Sequence, residues 1–246
     1  MISPDRCIAG LLLLLLGVYF LGFYRTLVHR SPHAASVFLA AFSLAYLCSM
    51  AAYRPSAANH ARRGVYVALS AVLGLQMSLL MLCLAKPRHH WFGRAIHGCV
   101  AGLALALYIS GMAPGGLVIQ KGARAAYAVI WCAACTWAIL VCSQWMDTVC
   151  AVILGAYLLP LGVDCFAHTA YVAHVGVFFF GSVNPILGVI GYAPTKAAFG
   201  LQAAALILAA SAGALRYWWS RRRLRAKFQG CDDDADDLLL HSALSQ

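Results

Sequence analysis

Apolar residues in this chain come in long runs rather than at amphipathic intervals, and short connectors between the runs hold most of the charge. Uninterrupted apolar stretches fall near 8–24, 35–53, 65–85, 95–112, 125–141, 148–166 and 197–217. Each approaches the ~20 residues that carry an α-helix across ~30 Å of hydrocarbon. The pattern predicts an all-α, polytopic membrane protein of about seven transmembrane helices. The first run follows Asp5-Arg6 and shows no small-x-small cleavage pattern before Tyr24-Arg25, which predicts a retained first helix rather than a secretory signal.

One apolar stretch does not read as a clean span. Residues 169–195 carry His174, the Phe178-Phe179-Phe180 run, Asn184-Pro185 and the glycines Gly181, Gly188 and Gly191. Those breakers predict a re-entrant or interfacial segment, because irregular backbone at membrane depth has to be shielded by protein or water. If the segment crosses instead, there are eight spans and the two termini share a side.

Composition rules out a soluble globule, since 63% of the 246 residues are hydrophobic and only 11% are charged. The net charge of +10 does not point to nucleic acid, because the basic residues flank the apolar runs instead of forming a patch. Their densest group, Arg221, Arg222, Arg223, Arg225 and Lys227, follows Tyr217-Trp218-Trp219. It sets the C-terminus on the cytosolic side and predicts contact with anionic lipid headgroups, each cation there contributing about 1 kcal/mol. The chain thus divides into a transmembrane domain, 1–220, and a cytosolic tail, 221–246, basic then acidic and expected to be disordered.

There is no Glu, and five of the eight acids lie in that tail. Asp234 with Leu238-Leu239 resembles an acidic dileucine sorting signal, and Asp236 with Leu239-Leu240 resembles its shorter D-x-x-L-L relative. These predict contact with clathrin adaptors and residence in an endosomal, vacuolar or lysosomal membrane or at the plasma membrane. The plain alternative is a solvating acidic tail that folds back on the basic stretch. The ten cysteines are scattered through apolar runs and read as small, inert thiols, the C-x-x-C of Cys132 and Cys135 included. Gly98 and Gly102 form a G-x-x-x-G that can seal the bundle internally or pair two protomers.

Asp164 is the acid placed within a predicted span, where a charge at the bilayer centre costs about 2.5–3.5 kcal/mol. His168 lies four residues on, the spacing that puts two side chains on one helix face, and Pro160 one turn before it can kink the helix. The trio suggests a proton relay or cation site. Against it, Asp147 and Asp164 lie seventeen residues apart, about 25 Å along a helix, and can simply bracket a span at the headgroups. No H-E-x-x-H or convergent carboxylate set points to a metal, and no cofactor is expected.

Two stretches carry a family likeness. Ile8-Ala9-Gly10 through Gly17-Val18-Tyr19-Phe20-Leu21-Gly22-Phe23-Tyr24-Arg25 is similar to the first helix of the seven-transmembrane superfamily member 3 / transmembrane protein 198-like domain family. Ile153-Leu154-Gly155-Ala156-Tyr157 through Gly162-Val163-Asp164-Cys165-Phe166, followed by His168-Thr169-Ala170, resembles that family's Gly-x-Tyr…Gly-x-Asp-x-Phe sixth helix. The chain departs from the pattern in having Phe23-Tyr24 where Phe-Gly-Tyr is expected. The resemblance spans about residues 8 to 223. It implies a seven-helix membrane protein, with relatives linked to Wnt-receptor signalling and to stress and survival responses, and it makes Asp164 a motif position.

The sequence leads to a non-enzymatic scaffold or regulator in membrane trafficking or signalling, with helix-mediated partners or self-association and no nucleic acid. The alternative is a small proton- or cation-coupled transporter or channel that uses Asp164.

Overall fold

A computed structural model describes residues 4–23, 34–53, 60–83, 90–112, 120–142, 144–167, 171–180 and 195–244. They form α1 (Pro4–Val18), a π-helical turn (Tyr19–Phe23), α2 (Ala34–Tyr53), α3 (His60–Cys83), α4 (His90–Ser110), α5 (Lys121–Val141), α6 (Gln144–Ala167), α7 (Tyr171–Phe180) and α8 (Lys196–Leu244). There is no strand among the described residues, so the protein is all-α.

Among the described residues, four helical stretches are long and apolar enough to cross a membrane: Trp91–Ser110, Gly122–Val141, Trp145–Ala167 and Lys196–Trp219. Shorter apolar helices cover Cys7–Gly22, Ala34–Ala45 and Val65–Leu80. Together they coincide with the seven runs read from hydropathy. Helices α3 to α6 start a few residues before those runs; in α4 and α6 this is because a polar residue that finds a partner does not end a helix, Arg94 and Asp147 being the residues concerned. The segment read as re-entrant contributes α7, whose ten residues reach only about 15 Å, half the hydrocarbon thickness. Asn184-Pro185 lies outside the described residues.

The chain divides into two compact units, Met1–Ala209 and Ala210–Gln246. In the first, α6 is the axis: 72% of its apolar window is buried, against 44% for α4 and 17% for α5. Its buried Leu154, Tyr157 and Leu158 join Phe20, Ala101, Leu107, Tyr108, Ile139 and Tyr171 in one core. Large apolar side chains also cover the outside, among them Leu69, Val72 and Leu79 on α3 and Val129, Ile130 and Trp137 on α5. In water that surface would aggregate; in lipid it is the expected exterior.

Because lipid tails are as apolar as leucine, helices in a bilayer associate through close packing rather than apolar burial, and small residues make close packing possible. Gly102 of α4 lies so near α5 that a Cβ there would stand 2.3 Å from the Trp131 carbonyl oxygen and 2.7 Å from the Cys132 Cα. Gly98, one turn earlier, would meet the Thr136 Cα at 2.7 Å. The G-x-x-x-G therefore seals α4 on α5 inside one chain. A second contact joins α1 and α6 antiparallel: a Cβ on Gly155 would meet the Gly17 carbonyl oxygen at 2.9 Å, and one on Gly162 the Gly10 carbonyl oxygen at 3.1 Å. On the far side Ser78 Oγ donates to the Ala34 carbonyl at 3.0 Å, tying the end of α3 to the start of α2.

The second unit is the continuation of α8. Tyr217, Trp218 and Trp219 are exposed there, and the Arg222 guanidinium lies over the Trp218 ring at 3.9 Å, with Arg221 6.0 Å from the Tyr217 ring. Helix continues to Leu244 where the sequence reading expects a disordered tail, in keeping with the Arg, Leu, Ala and Lys that follow Trp219.

Candidate functional site

Asp164 stands in the last turn of α6, yet it is buried, with 3% of its surface exposed. The carboxyl group is therefore packed against protein at the end of the helix. Its predicted partner His168 lies outside the described residues. The histidine that the fold brings into electrostatic reach of Asp164 is His174 of α7, also 3% exposed.

His174 is fixed on both nitrogens. Nδ1 bonds the Tyr171 carbonyl, which can only accept, so Nδ1 carries the proton in the neutral ring. Nε2 then accepts from the Tyr157 hydroxyl at 3.1 Å. Tyr157 is two helical turns before Asp164 on α6, so carboxylate and phenol share a face of that helix. The Tyr171 ring lies 4.7 Å from the imidazole and that of Tyr157 6.2 Å, which walls the histidine with aromatic carbon.

Gln202 of α8 completes the group. It is 3% exposed, and neither its amide oxygen nor its nitrogen has a hydrogen-bond partner among the described residues. Gly111, just past α4, lets it approach: a Cβ at that position would stand 2.9 Å from Gln202 Nε2 and 3.1 Å from His174 Cδ2. Tyr108 donates to the Gln202 backbone carbonyl at 3.1 Å and fixes the helix beneath the amide. A carboxyl group, an imidazole of defined tautomer, a phenol and an unpartnered amide therefore gather where α4, α6, α7 and α8 meet. They offer oxygen ligands and a proton-accepting pair inside an apolar bundle.

At the opposite end of α6 a second polar network is fully satisfied. Arg94 pairs with Asp147 at 3.3 Å and also donates to the carbonyls of Ile139 and Cys142, where α5 ends. His97, fully buried, donates from Nε2 to the Asp147 carbonyl at 3.2 Å and accepts at Nδ1 from the Ser36 hydroxyl at 2.7 Å. That is the opposite tautomer to His174. Phe20 of the π-helical turn stacks on the His97 ring at 5.9 Å. The network ties α2, α4, α5 and α6 and leaves no free valence on the imidazole.

Sequence reasoning found Asp164 and missed His174 as its neighbour, along with Tyr157, Gly111 and Gln202. Tyr157 had a signal, the seven-residue spacing to Asp164 within one motif. Gln202 had none, because an amide in an Ala/Gly-rich span looks the same whether it meets lipid or protein. Of the predicted headgroup contacts, Arg221 and Arg222 are exposed beside the aromatic residues, while the side chains of Arg223, Arg225, Lys227, Asp234, Asp236, Leu238, Leu239 and Leu240 are outside the described residues.

No curated protein and no solved structure matches the chain. The profile of the TM7S3/TM198-like domain does, over residues 7–217, a stretch holding both glycine-packed helix pairs and the whole Asp164 cluster. The protein is an integral membrane protein that belongs to the TM7S3/TM198-like domain family.

Proposed function

We propose that this protein is a non-enzymatic, seven-span membrane protein that binds a proton or small cation at the Asp164 cluster in the course of transport. One observation carries the reading: the Gln202 amide, buried and without a hydrogen-bond partner among the described residues, lies beside His174 in the cluster that holds Asp164. An amide left dry costs about 1–3 kcal/mol, and an ionisable residue inside a membrane bundle is expensive enough to mark a function. A bound ion or its water would satisfy both. Proton and cation flux into liposomes containing the wild-type protein, beside Asp164→Asn, tests it. Flux in the wild type that disappears in the variant is expected; no flux in either, or equal flux in both, would sink the transport role.

A second reading rests on the tail. Asp234 with Leu238-Leu239 and Asp236 with Leu239-Leu240 support a scaffold or regulator whose cytosolic C-terminus is read by clathrin adaptors and which resides in an endosomal, vacuolar or lysosomal membrane or at the plasma membrane. Under it, Leu239→Ala redistributes the protein to the cell surface, and an unchanged distribution would exclude the signal. Anionic lipid at Arg221 to Lys227 accompanies either reading.

A further inference from the structure

Arg124 of α5 is, with Asp164, one of the two fully charged side chains that the fold buries among the described residues. It is 6% exposed, while Gly122, Ala123, Ala125 and Ala126 around it are open. A guanidinium enclosed in a membrane bundle calls for a counter-charge or a set of carbonyl oxygens, and neither Arg124 nor Asp164 is without an interaction partner. Contacts at the far end of the bundle fix how α5 and α6 are aligned. Arg94 pairs with Asp147, near the start of α6, and donates to the Ile139 and Cys142 carbonyls where α5 ends, so these residues share one level. Arg124 lies fifteen residues before Ile139 and eighteen before Cys142, and Asp164 lies seventeen after Asp147. Since α5 runs antiparallel to α6, both charges stand about 25 Å from the Arg94 level, at the same depth. Helix α4 gives the same answer independently. Its contacts with α5, Gly98 at Thr136 and Gly102 at Trp131 and Cys132, set Arg124 level with Ile109 and Ser110. Its contacts with α6, Arg94 and His97 on Asp147, set Asp164 level with residues 111–114, within about a turn. Arg124 is seven residues before Trp131, which puts it on the face of α5 that packs against α4. Of the other acids in the first unit, Asp147 is held by Arg94 at the far end, and Asp5 is on α1, which packs chiefly on α6 and α3.

We propose that Arg124 is the counter-ion of Asp164, and that the proton or cation bound at Asp164 takes its place. The inference rests on the reading of Asp164 as the ion site. With no ion bound, the guanidinium keeps the carboxylate charged inside the bundle, where burial alone would favour the neutral acid. An arriving ion neutralises the carboxylate only by displacing the guanidinium. Arg124 is therefore a positioning residue and an internal competitor: apparent affinity is the intrinsic affinity scaled down by the fraction of molecules whose carboxylate is open.

The test measures thermal unfolding of the full chain in one detergent for Arg124→Gln, Asp164→Asn and the double variant. Each single change strands the opposite charge and should lower Tm, and the double variant, with neither charge left, should lose much less than the two losses combined, recovering a transition even where a single variant has none. Losses that add would overturn the pair and leave Arg124 on backbone carbonyls; rescue of Arg124→Gln by Asp5→Asn instead would also overturn it. The competition is read in liposomes, with sodium, potassium and protons each supplied at graded concentration. Arg124→Lys keeps the charge but not the two-pronged grip on a carboxylate, so half-maximal flux should need about tenfold less of the transported species. An unchanged half-maximal concentration would overturn the displacement. Non-additive Tm losses without flux in any variant would keep the ion pair and remove transport, and displacement with it; flux with additive losses would keep transport and remove the pair.

Discussion

Asp164, His174 and Gln202 are each enclosed to the same degree but differ in what surrounds their polar atoms, and that difference makes their substitutions separable. Tyr157→Phe removes the hydroxyl that Nε2 of His174 accepts from, leaving a buried acceptor without its donor. It should lower stability by about 1–3 kcal/mol, seen as a lower Tm of the purified protein in detergent. An unchanged Tm would mean that water takes the place of the hydroxyl. Gln202→Leu goes the other way. It replaces an amide with no hydrogen-bond partner among the described residues by a side chain that needs none, so Tm should hold or rise while flux is lost. A functional residue kept at a cost to stability is the pattern expected where an ion, rather than the protein, satisfies it. A fall in Tm with Gln202→Leu would instead show that the amide supports the fold.

Among the elements, glycine decides which helices meet. Gly102→Ala forces a methyl to within 2.3 Å of the Trp131 carbonyl, and backbone cannot swing aside as a flexible side chain can. Gly200, on α8, has nothing within 4 Å of its added Cβ. The same substitution should therefore destabilise by about 1–3 kcal/mol at Gly102 and be neutral or stabilising by up to about 1 kcal/mol at Gly200, compared by thermal unfolding in one detergent. Equal effects at both positions would contradict the seam. These contacts also explain what the sequence could and could not disclose. Span positions were legible because hydropathy responds to lipid directly, and the likeness to the family was legible because Gly10, Gly17, Gly155 and Gly162 are the residues through which α1 and α6 touch. The pairing itself was not, since a glycine in a hydrophobic run does not say whether its partner is another helix or another copy. Nor was His174, ten residues beyond Asp164 and on a separate helix: i,i+4 reasoning reaches along one helix and cannot see across a break.

For the whole molecule, the directions of the helices constrain topology. Arg94 and Asp147 sit near the starts of α4 and α6 and are paired, so those two helices run parallel, with α5 returning between them. The glycine contacts set α1 antiparallel to α6. If the starts of α4 and α6 face the cytosol, as Lys86, Arg88 and Arg94 favour by the positive-inside rule, then α1 starts on the other side and the N-terminus is non-cytosolic. The side of the C-terminus then depends on residues 168–195 alone. The ten residues of α7 do not by themselves span the hydrocarbon, and if the segment does not cross, α8 is expected to return the chain to the cytosol and bring Arg221 to Lys227 to anionic lipid. Acceptor tags for N-glycosylation on each terminus measure this directly. Modification of the N-terminal tag alone is expected. Modification of both would mean that the α7 segment crosses and the chain has eight spans, with the basic cluster outside, and it would remove the cytosolic sorting signal along with the seventh-span count.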